Sequence, residues 1–325
     1  MSIRWGILGT GRIASDLAAD LAHLPDADLV AVGSRRQATA EAFGDRFDVP
    51  HRHGSYEALV ADPDVDVLHV ATPHPFHAEH ATMALEAGTA VLCEKPLTIN
   101  ADEADALIAT ARANDVFLME AMWTRFLPGM DAVRDVVNDE LGDVFLLEAD
   151  IGAPTPFDPE HRMYNPALGG GALLDLGIYP IAFAFELLGP PDDVTSSALL
   201  GATGVDEQCA GLFTYDNGAQ ALWHASMRAD AGRTCAIAGT DGRLEGARAW
   251  WKGAPYTLTR TDGSTAVFET PFPGKGYQFE AAHVMNCLRA GRTESPVMPL
   301  DESRAIMATM DAMRTEWGVR YPQEE

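Results

Sequence analysis

A short glycine-containing turn near the start of the chain has the spacing of a phosphate-binding loop. Gly9, Gly11 and Ala14 follow the apolar run Ile3–Leu8, and Ile13 begins an apolar pattern of helical spacing. In a strand–turn–helix unit the first glycine permits a tight turn, the second lets the backbone approach a pyrophosphate, and the small third residue lets the helix pack on the strand. Free N–H groups at the helix N-terminus then face the phosphates. The predicted dinucleotide contacts in this turn are Gly9, Thr10, Gly11, Arg12 and Ile13.

A basic pair after the second apolar run bears on which dinucleotide binds. Residues 29–33 read Leu-Val-Ala-Val-Gly and lead into Ser34, Arg35 and Arg36. A site for NAD usually carries an acid here that holds the ribose 2′-hydroxyl, whereas an arginine accommodates the 2′-phosphate of NADP. No acid stands at this point, so the sequence predicts NADP, with an unusual NAD site as an alternative. The arginines could instead be the solvated beginning of a helix expected at residues 37–47.

A lysine lies at the predicted end of a buried strand, where ligands bind in open α/β sheets. The segment Cys-Glu-Lys-Pro ends at Pro96 and contains Lys95, one of only three lysines in the chain. A lysine near a nicotinamide lowers the pKa of a neighbouring acid and orients a substrate hydroxyl. The alternative is a solvated loop lysine.

An aspartate and a tyrosine further along the chain could supply acid–base chemistry. Asp175 and Tyr179 are four residues apart on a helix expected after the glycines 169–171, so this spacing predicts a shared face. An unperturbed phenol has a pKa of about 10 and needs a nearby cation to act as a base at neutral pH. Lys95 could supply that cation, and Asp175 could hold the substrate or position Lys95. Tyr179 could instead be a packing aromatic before Pro180.

Three segments occur in a recognisable order. They read Ala-Thr-Pro-His-Pro-Phe-His at residues 71–77, Glu-Lys-Pro at 94–96 and Gly-Gly-Gly-Ala-Leu-Leu-Asp-Leu-Gly-Ile-Tyr at 169–179. In this order they resemble the glucose–fructose oxidoreductase/inositol dehydrogenase (Gfo/Idh/MocA) family. The likeness covers the whole chain, from the glycine turn to the C-terminal helix.

The resemblance implies a catalytic group made of Lys95, Asp175 and residue 179. Most members have histidine at this last position, whereas this chain has Tyr179. This departure, together with Glu-Ala-Met-Trp-Thr-Arg-Phe at residues 120–126, is more similar to the branch of dimeric dihydrodiol dehydrogenases and NADP-dependent D-xylose dehydrogenases. In that branch a tyrosine is the acid/base.

The resemblance also extends the cofactor site beyond the glycine turn. His77 ends a Thr-Pro-x-x-x-His element that is expected beside the nicotinamide ribose. The further predicted cofactor residues are Ser34, Arg35, Arg36, Thr72, Pro73, His77, Glu94, Lys95, Trp123 and Arg125. Large side chains that could line a substrate pocket, or simply belong to the core, are Trp123, Arg125, Phe157, Trp251 and Tyr277.

Histidines at short spacing raise the alternative of a metal site. His74, His77 and His80 are spaced i, i+3, which can align ligands. No cysteine or carboxylate completes this set at a suitable spacing, and hydride transfer needs no metal. His51 and His53 are expected to lie in a loop. We therefore expect no metal.

The composition is strongly acidic. The 325 residues carry a net charge of −25, with 28 Asp and 20 Glu against 20 Arg and three Lys. This charge argues against nucleic acid or an anionic membrane as a partner. Because concentrated salt screens self-repulsion, the abundance of Asp and the scarcity of Lys suggest a salt-loving source.

Alternating apolar strands and helices up to residue 121 predict a parallel sheet covered on both faces, which is a Rossmann fold. Beyond that point several strand-like runs and an Asn-Gly turn predict an α+β domain with an open, mostly antiparallel sheet. The expected domains are residues 1–121 for dinucleotide binding and 122–325 for substrate binding and oligomerisation. The resemblance implies a homodimer or homotetramer made through the second sheet.

The expected activity is hydride transfer between NADP and a hydroxyl-bearing carbon of a sugar, cyclic polyol or vicinal diol. A non-catalytic NADP-sensing regulator on the same scaffold is the alternative. The four cysteines are scattered, and we expect neither a signal peptide nor a membrane-spanning helix, so the expected location is cytoplasmic.

Overall fold

The computed structural model describes residues 2–324, which form parts of two compact units. The two units are Met1–Phe126 with Phe272–Met307, and Leu127–Pro271 with Ala308–Glu325. Each unit therefore combines two separate segments of the chain. The predicted boundary between a dinucleotide-binding and a substrate-binding domain at residue 121 stays a prediction.

Six parallel strands form the sheet of the first unit. Their bounds are β1 (Ile3–Leu8), β2 (Ala27–Gly33), β3 (His51–His53), β4 (Val67–Val70), β5 (Ala90–Glu94) and β6 (Leu118–Ala121). The order β3-β2-β1-β4-β5-β6 is that of a doubly wound dinucleotide-binding sheet, so the predicted Rossmann fold is confirmed. The order reverses between β1 and β4, and ligands bind outside the carboxyl ends of the strands at such a point.

Five helices connect these strands. They are α1 (Arg12–Leu21), α2 (Gln37–Phe47), α3 (Tyr56–Val60), α4 (His77–Glu86) and α5 (Ala101–Asn114). The strands β4, β5 and β6 are buried at every residue, as expected of a parallel sheet covered on both faces. Their apolar side chains join one core with α4 and α5, including Leu68, Val91, Leu118, Ala81 and Leu107.

Two helix ends follow their sequence signals. The Asn100 side chain accepts a hydrogen bond of 2.8 Å from the Glu103 amide and so caps α5, as its sequence predicts. Gly88 follows the end of α4 with a φ of +81°, the left-handed conformation expected of a glycine at that place. The beginning of α5 and the end of α4 are therefore set by local chemistry.

The expectation of a loop at His51 and His53 is wrong. These residues lie in β3, which pairs with β2 so that Ala31 is opposite His51 and Gly33 is opposite His53. A three-residue strand made of His-Arg-His has no apolar alternation from which to recognise it. Its pairing with β2, which is a tertiary interaction, makes it a strand.

Eight strands form the sheet of the second unit. They are β7 (Val144–Gly152), β8 (Asp193–Leu200), β9 (Asp206–Thr214), β10 (Gln220–Ser226), β11 (Cys235–Gly239), β12 (Gly242–Gly246), β13 (Tyr256–Arg260) and β14 (Thr265–Phe268). The order is β14-β13-β12-β11-β7-β10-β9-β8. The pair β7 and β10 is parallel and the other pairs described are antiparallel, which confirms the predicted mostly antiparallel sheet.

The predicted Asn-Gly turn joins β9 to β10. Gly218 has a φ of +89°, and its amide donates to the Tyr215 carbonyl at 2.8 Å. The Tyr215 amide donates in turn to the Ala219 carbonyl at 3.1 Å. This turn sets the register of the two strands.

The helix expected from the three glycines to Leu188 has a more varied backbone. A 3₁₀ turn at Pro166–Leu168 is followed by Gly171 with a φ of +130°, a π-helical turn at Leu173–Gly177 and then an α-helix. The α-helices of this part of the chain are α6 (Pro128–Asp139) and α7 (Ile178–Leu188). The segment Pro166–Leu188 is long and apolar enough to cross a membrane, but 78% of its apolar window is buried inside the protein, as in a core helix.

Two helices complete the chain. They are α8 (Tyr277–Arg289), in the first unit, and α9 (Leu300–Trp317), whose residues divide between the two units at Met307. In the first unit, α8 packs against α1. The amides of Lys275 and Tyr277 before and at its first turn donate to Asp20 at 2.9 Å. This contact attaches residues 272–307 to the N-terminal half of the first unit.

Candidate active site

The glycine turn has the geometry that its sequence predicts. Gly9 has a φ of +113°, and a side chain there would also place its Cβ 2.8 Å from the Ala71 carbonyl oxygen. The Ala71 amide donates to the Leu8 carbonyl at 2.9 Å, so the ends of β1 and β4 lie side by side. Both the backbone conformation and this close approach therefore require glycine at position 9.

The next residues form a site that fits a phosphate group. Gly11 is the N-cap of α1, and a Cβ at Gly11 would meet no atom within 4 Å. No side chain caps this end of α1, whose first N–H groups suit an anion. Ala14 is fully buried behind the turn, while Arg12 is exposed. The space beside Gly11 is therefore open, and binding of a pyrophosphate there stays a prediction.

The predicted 2′-phosphate residues lie at the end of β2. Ser34 is buried and its amide donates to the His53 carbonyl at 3.1 Å, which ties it to β3. Arg35 and Arg36 follow on the surface. Burial raises the pKa of Tyr56, and the neighbouring Arg35 opposes that rise, so the guanidinium of Arg35 lies close to this phenol. The pair therefore presents positive charge beside the end of β2.

His77 connects two of the predicted cofactor loops. Its Nε2 lies 2.8 Å from the Thr72 carbonyl oxygen, and its Nδ1 lies 2.8 Å from the Pro96 carbonyl oxygen. The ring is fully buried, and this burial lowers the pKa of His77 although both carbonyl groups oppose the shift. His77 thus holds the loop after β4, with Thr72 and Pro73, against the loop that carries Lys95.

The loop after β5 carries the predicted lysine. Glu94 and Lys95 are both buried, and the peptide bond between Lys95 and Pro96 is cis. Glu94 Oε1 lies 3.0 Å from Nε2 of the buried His69. This contact turns the Glu94 side chain towards the sheet and fixes the residue before Lys95.

A second acid, which the sequence analysis did not identify, supports the same loop. Glu120 at the end of β6 accepts a hydrogen bond of 2.9 Å from the Leu97 amide. The Glu120 carboxyl group is fully buried, and burial raises its pKa to about 7. The sequence gives no signal for this contact, because it joins residues 23 positions apart. The backbone that follows Lys95 is therefore held at Pro96 by His77 and at Leu97 by Glu120.

Two residues predicted to contact the cofactor lie in the 3₁₀ turn Trp123–Phe126. The Arg125 guanidinium is buried and donates to Glu302 at 2.5 Å and to the Val297 carbonyl at 3.2 Å. The ring of Trp123 packs on that of Tyr277, with centroids 4.9 Å apart. These contacts bind the turn to α8 and α9, and a direct role of Trp123 and Arg125 at the cofactor stays a prediction.

The predicted acid–base residues lie in the second unit. Asp175 is buried in the π-helical turn, and Tyr179 is half-buried in the first turn of α7. Asp206 Oδ2 accepts a hydrogen bond of 2.6 Å from the Leu173 amide and so fixes the beginning of the π-helical turn. A Cβ on Gly171 would collide with the Asp206 carboxyl group, which explains the glycine before this turn.

Asp175 has a partner that the sequence analysis missed. Arg162 Nη1 donates to Asp175 Oδ1 at 3.0 Å, and Arg162 Nη2 donates to Asp175 Oδ2 at 3.1 Å. Such a two-pronged contact orients a carboxylate as well as balancing its charge. Arg162 lies in the proline-rich loop before the glycines, where nothing in the spacing indicates a partner.

Two protein-family models match the chain. The model of the oxidoreductase family with an NAD-binding Rossmann fold, GFO/IDH/MocA, matches residues 3–122, and the model of the GFO/IDH/MocA C-terminal domain matches residues 130–245. The chain belongs to the GFO/IDH/MocA family. The resemblance noted from the three sequence segments is confirmed.

Members of the GFO/IDH/MocA family resemble this chain along its whole length. The chain is 38% identical to mouse (Mus musculus) trans-1,2-dihydrobenzene-1,2-diol dehydrogenase over 338 residues, and 36% identical to the human enzyme of that name over 337 residues. Both alignments cover 100% of this chain and 100% of the relative. The chain is therefore an oxidoreductase that acts on CH–OH groups and has a Rossmann domain for a nicotinamide dinucleotide.

Solved structures of the GFO/IDH/MocA family have the same fold. A 3-ketoreductase from Actinomadura kijaniata in complex with NADP and TDP-benzene is 28% identical, with a TM-score of 0.84, over 97% of this chain and 98% of that one. An aldose-aldose oxidoreductase from Caulobacter crescentus complexed with glycerol has a TM-score of 0.86 over 98% and 99% of the two chains. Its 24% identity supports the fold alone.

Proposed function

We propose that this protein is an NADP-dependent oxidoreductase that oxidises a hydroxyl-bearing carbon of a vicinal diol, cyclic polyol or sugar, or reduces the matching carbonyl. The observation that carries the proposal is the buried Lys95 at the carboxyl end of β5, in a loop that His77 and Glu120 hold in place. Lysines are seldom buried, and this one lies at the edge where open α/β sheets bind their ligands.

Tyr179 is the proposed proton-transfer group. It takes the hydroxyl proton when the substrate is oxidised and returns a proton to the oxygen when the carbonyl is reduced. Lys95 stabilises the phenolate form and holds the same substrate oxygen. The nicotinamide, when bound, accepts or supplies the hydride.

Asp175 is the proposed positioning group for the substrate. Its carboxylate is already oriented by Arg162, so it presents a fixed acceptor to a substrate hydroxyl. A diol or polyol offers a second hydroxyl for such an acceptor, next to the one that reacts. This arrangement supports a polyhydroxylated substrate over a simple alcohol.

One of the solved relatives supports the roles of Lys95 and Tyr179. Structures of the Actinomadura kijaniata 3-ketoreductase were determined with a lysine replaced by alanine and, separately, with a tyrosine replaced by phenylalanine. In that chain, the two substituted residues are separated by the same number of positions as Lys95 and Tyr179 are here.

The preference for NADP rests on Arg35 and Arg36. No acid stands between Gly33 and these residues to hold a ribose 2′-hydroxyl, and both arginines lie on the surface at the end of β2. The relative that is 28% identical was solved with NADP. The alternative is a site that binds NAD through other ribose contacts. The KM values of Arg35→Ala for NADP⁺ and for NAD⁺ distinguish the two.

We further propose a homodimer or homotetramer that covers the outer face of the eight-stranded sheet. Three apolar side chains on this face have 40–63% of their surface exposed: Leu199, Leu222 and Val267. The same sheet carries an open groove of about 950 Å³ that includes Leu212, Leu222 and Ala236. Exposed apolar side chains beside such a groove mark an interaction surface. Sedimentation that finds only monomers at micromolar concentration would contradict this oligomer.

A cytoplasmic location completes the proposal. Its support is that the four cysteines, all buried, form no disulfide in the structure of residues 2–324. Fractionation of the source cells tests this location, and recovery of the protein outside the cytoplasm would contradict it.

A substrate screen tests the proposed activity directly. Purified protein is incubated with trans-dihydrodiols, inositols and aldoses, each with NADP⁺ and with NAD⁺, in low and in molar KCl, and nicotinamide reduction is followed by absorbance. We expect turnover with at least one diol or sugar and a preference for NADP⁺. Tight NADP⁺ binding without turnover of any substrate would instead favour the non-catalytic sensor.

A further inference from the structure

Two histidines and a buried aspartate converge at the edge of the first sheet, at the end of β3 and after α3. His51 Nδ1 lies 2.7 Å from Asp62 Oδ2, and His53 Nε2 lies 2.8 Å from the same oxygen. The three atoms all lie within 4.8 Å of one another. His51 and His53 alternate along β3 with one residue between them, so their side chains leave the strand on the same face.

The types and the spacing of these three groups fit a transition-metal ion. Imidazole nitrogen and carboxylate oxygen are the ligands of catalytic and structural zinc sites, at about 2.0–2.2 Å from the ion. Tetrahedral ligands at that distance are about 3.3 Å apart, by the geometry of those bond lengths. The two nitrogen–oxygen distances at Asp62 need to open by only about half an ångström to admit an ion.

The cluster is held in place before any ion enters. The Asp62 side chain is only 5% exposed, and its other oxygen accepts a hydrogen bond of 2.9 Å from the Asp64 amide. Burial acts to raise the pKa of Asp62, but the hydrogen bonds from Asp64, His53 and His51 outweigh it and lower that pKa. The carboxylate is therefore the form present at neutral pH, as a metal ligand requires.

The surroundings leave room for a fourth ligand and attract a cation. The side chains of His51 and His53 are 38% and 24% exposed, so a water molecule can complete a tetrahedron from the solvent side. Asp64 Oδ2 lies 4.0 Å from Nε2 of His51, on the far side of that ring. The protein as a whole carries a charge of −25, which raises the local concentration of cations.

We propose that His51, His53 and Asp62 bind one divalent transition-metal ion, with zinc as the reference ion. The site lies apart from the catalytic residues named above and departs from the expectation that the chain binds no metal. The four cysteines, which would compete for zinc, are all buried. Without an ion, His51 and His53 each form a hydrogen bond to the same oxygen of Asp62. The test must distinguish a metal site from this purely hydrogen-bonded cluster.

An ion here would strengthen the edge of the sheet beside the predicted 2′-phosphate residues. The His53 carbonyl accepts the hydrogen bond of the Ser34 amide, and Ser34 precedes Arg35 directly. Joining β3 to the turn at Asp62 restrains the outermost strand of the sheet. A ligand that binds only the folded protein raises its melting temperature. Zinc binding can therefore be measured as a rise in melting temperature, independently of activity.

Cobalt and zinc titrations of the full chain, freed of metal with a chelator, test the site. We expect visible Co²⁺ absorption bands that saturate at one ion per chain and that Zn²⁺ displaces, together with a rise in melting temperature on adding Zn²⁺. The variants His53→Gln and Asp62→Asn should each weaken Co²⁺ binding by at least about tenfold. The control His23→Gln replaces an exposed histidine outside the cluster and should bind like the wild type.

The variants remain informative if one of them is poorly folded. Glutamine at position 53 keeps an amide donor for Asp62, and melting curves in chelator report whether each variant folds. If Asp62→Asn does not fold, His51→Gln replaces it in the comparison. Absence of saturable Co²⁺ absorption in the wild type, or equal binding by the wild type and a folded His53→Gln variant, overturns the proposal.

Discussion

The backbone amide of Leu97 donates a 2.9 Å hydrogen bond to the buried carboxyl group of Glu120. Leu97 follows the Lys95–Pro96 peptide bond, so this contact joins the end of β6 to the loop that carries Lys95, the proposed catalytic lysine. Burial raises the pKa of Glu120 from 4.5 to about 7. The carboxyl group therefore changes its charge within the pH range in which the enzyme is expected to work.

This pKa makes stability depend on pH in a defined direction. Between about pH 4.5 and 7 the folded protein keeps a proton on Glu120 that the unfolded chain has lost, so stability falls as pH rises through this window. The contribution amounts to at most about 3 kcal/mol. The Glu120→Gln variant lacks this pH-dependent contribution. The melting temperature of the variant minus that of the wild type should therefore increase as the pH is raised from 5 to 8.

A matched control separates this effect from a general change of charge. Glu86→Gln replaces an exposed glutamate in α4, and its melting temperature should follow the wild type at every pH. Asp206, whose pKa burial also raises to about 7, contributes equally to the wild type and to both variants and cancels in the difference. Parallel curves for Glu120→Gln and the wild type would show that Glu120 does not titrate in this window.

Arg35 is expected to discriminate between the two cofactors. A charge-assisted contact with a phosphate is worth about 1.5–3 kcal/mol, or roughly ten- to a hundredfold in affinity. Arg35→Ala should raise the KM for NADP⁺ by that factor and leave the KM for NAD⁺ nearly unchanged. Arg304→Ala, which removes another exposed arginine, should change neither KM. Equal effects of Arg35→Ala on both cofactors would contradict the assignment.

Arg162 is expected to act on substrate binding through Asp175. The Arg162 side chain is 53% exposed, so its ion pair adds little to stability, within about 1 kcal/mol. Arg162→Met should lower kcat/KM by about tenfold, which corresponds to roughly 1.4 kcal/mol, because Asp175 loses its orientation. The melting temperature should change little.

The ion pair between Arg228 and Glu207 provides a control in which an equally exposed arginine binds a buried acid. The Arg228 side chain is 54% exposed, and its buried partner lies in the same unit. Arg228→Met should leave kcat/KM unchanged. If Arg162→Met and Arg228→Met lower kcat/KM equally, the orientation of Asp175 by Arg162 does not contribute to catalysis.

The acidic composition predicts a response to salt. Self-repulsion at a net charge of −25 weakens when molar KCl shortens the Debye length to about 3 Å. Activity and melting temperature should both rise between dilute buffer and molar KCl. A flat or falling response would attribute the many arginines and few lysines to genome composition instead.

The sequence predicts the elements that local patterns determine. The apolar runs of β1 and β5, the Asn100 cap and the Asn217-Gly218 turn each carry their signal within a few residues. The sequence analysis did not delimit the short strands β3, β12, β13 and β14. β3 is polar and β12 contains two glycines, while β13 and β14 are only five and four residues long, so pairing with neighbours makes them strands.

The same limit explains which site residues were missed. Lys95 and Tyr179 stand in recognisable segments, and Gly9 and Gly11 in a known turn. Glu120 and Arg162 act on backbone or side-chain groups 23 and 13 residues away, and no pattern in the chain marks them. Glu120 holds the loop of Lys95 and Arg162 holds Asp175, and only the folded structure reveals these contacts.

Lys95 and Tyr179 should be linked in their effect on proton transfer. Lys95→Met should lose at least as much turnover as Tyr179→Phe. The pH profile of any remaining activity should shift to higher pH, because no cation then favours the phenolate. Tyr179→His is expected to retain activity, since histidine can also transfer a proton at this position. An unchanged pH profile in Lys95→Met would remove Lys95 from the proton-transfer step.

The single-turnover rate of Tyr179→Phe, measured with NADP(H) and substrate both saturating, tests the central claim most directly. General acid–base catalysis contributes about 10²–10⁴-fold, so the variant should lose that much in rate while its affinity for NADP(H) stays nearly intact. Tyr215→Phe, a tyrosine in the turn between β9 and β10, should react at the wild-type rate. If Tyr179→Phe also reacts at the wild-type rate, the proton moves through another group and the proposed role of Tyr179 is wrong.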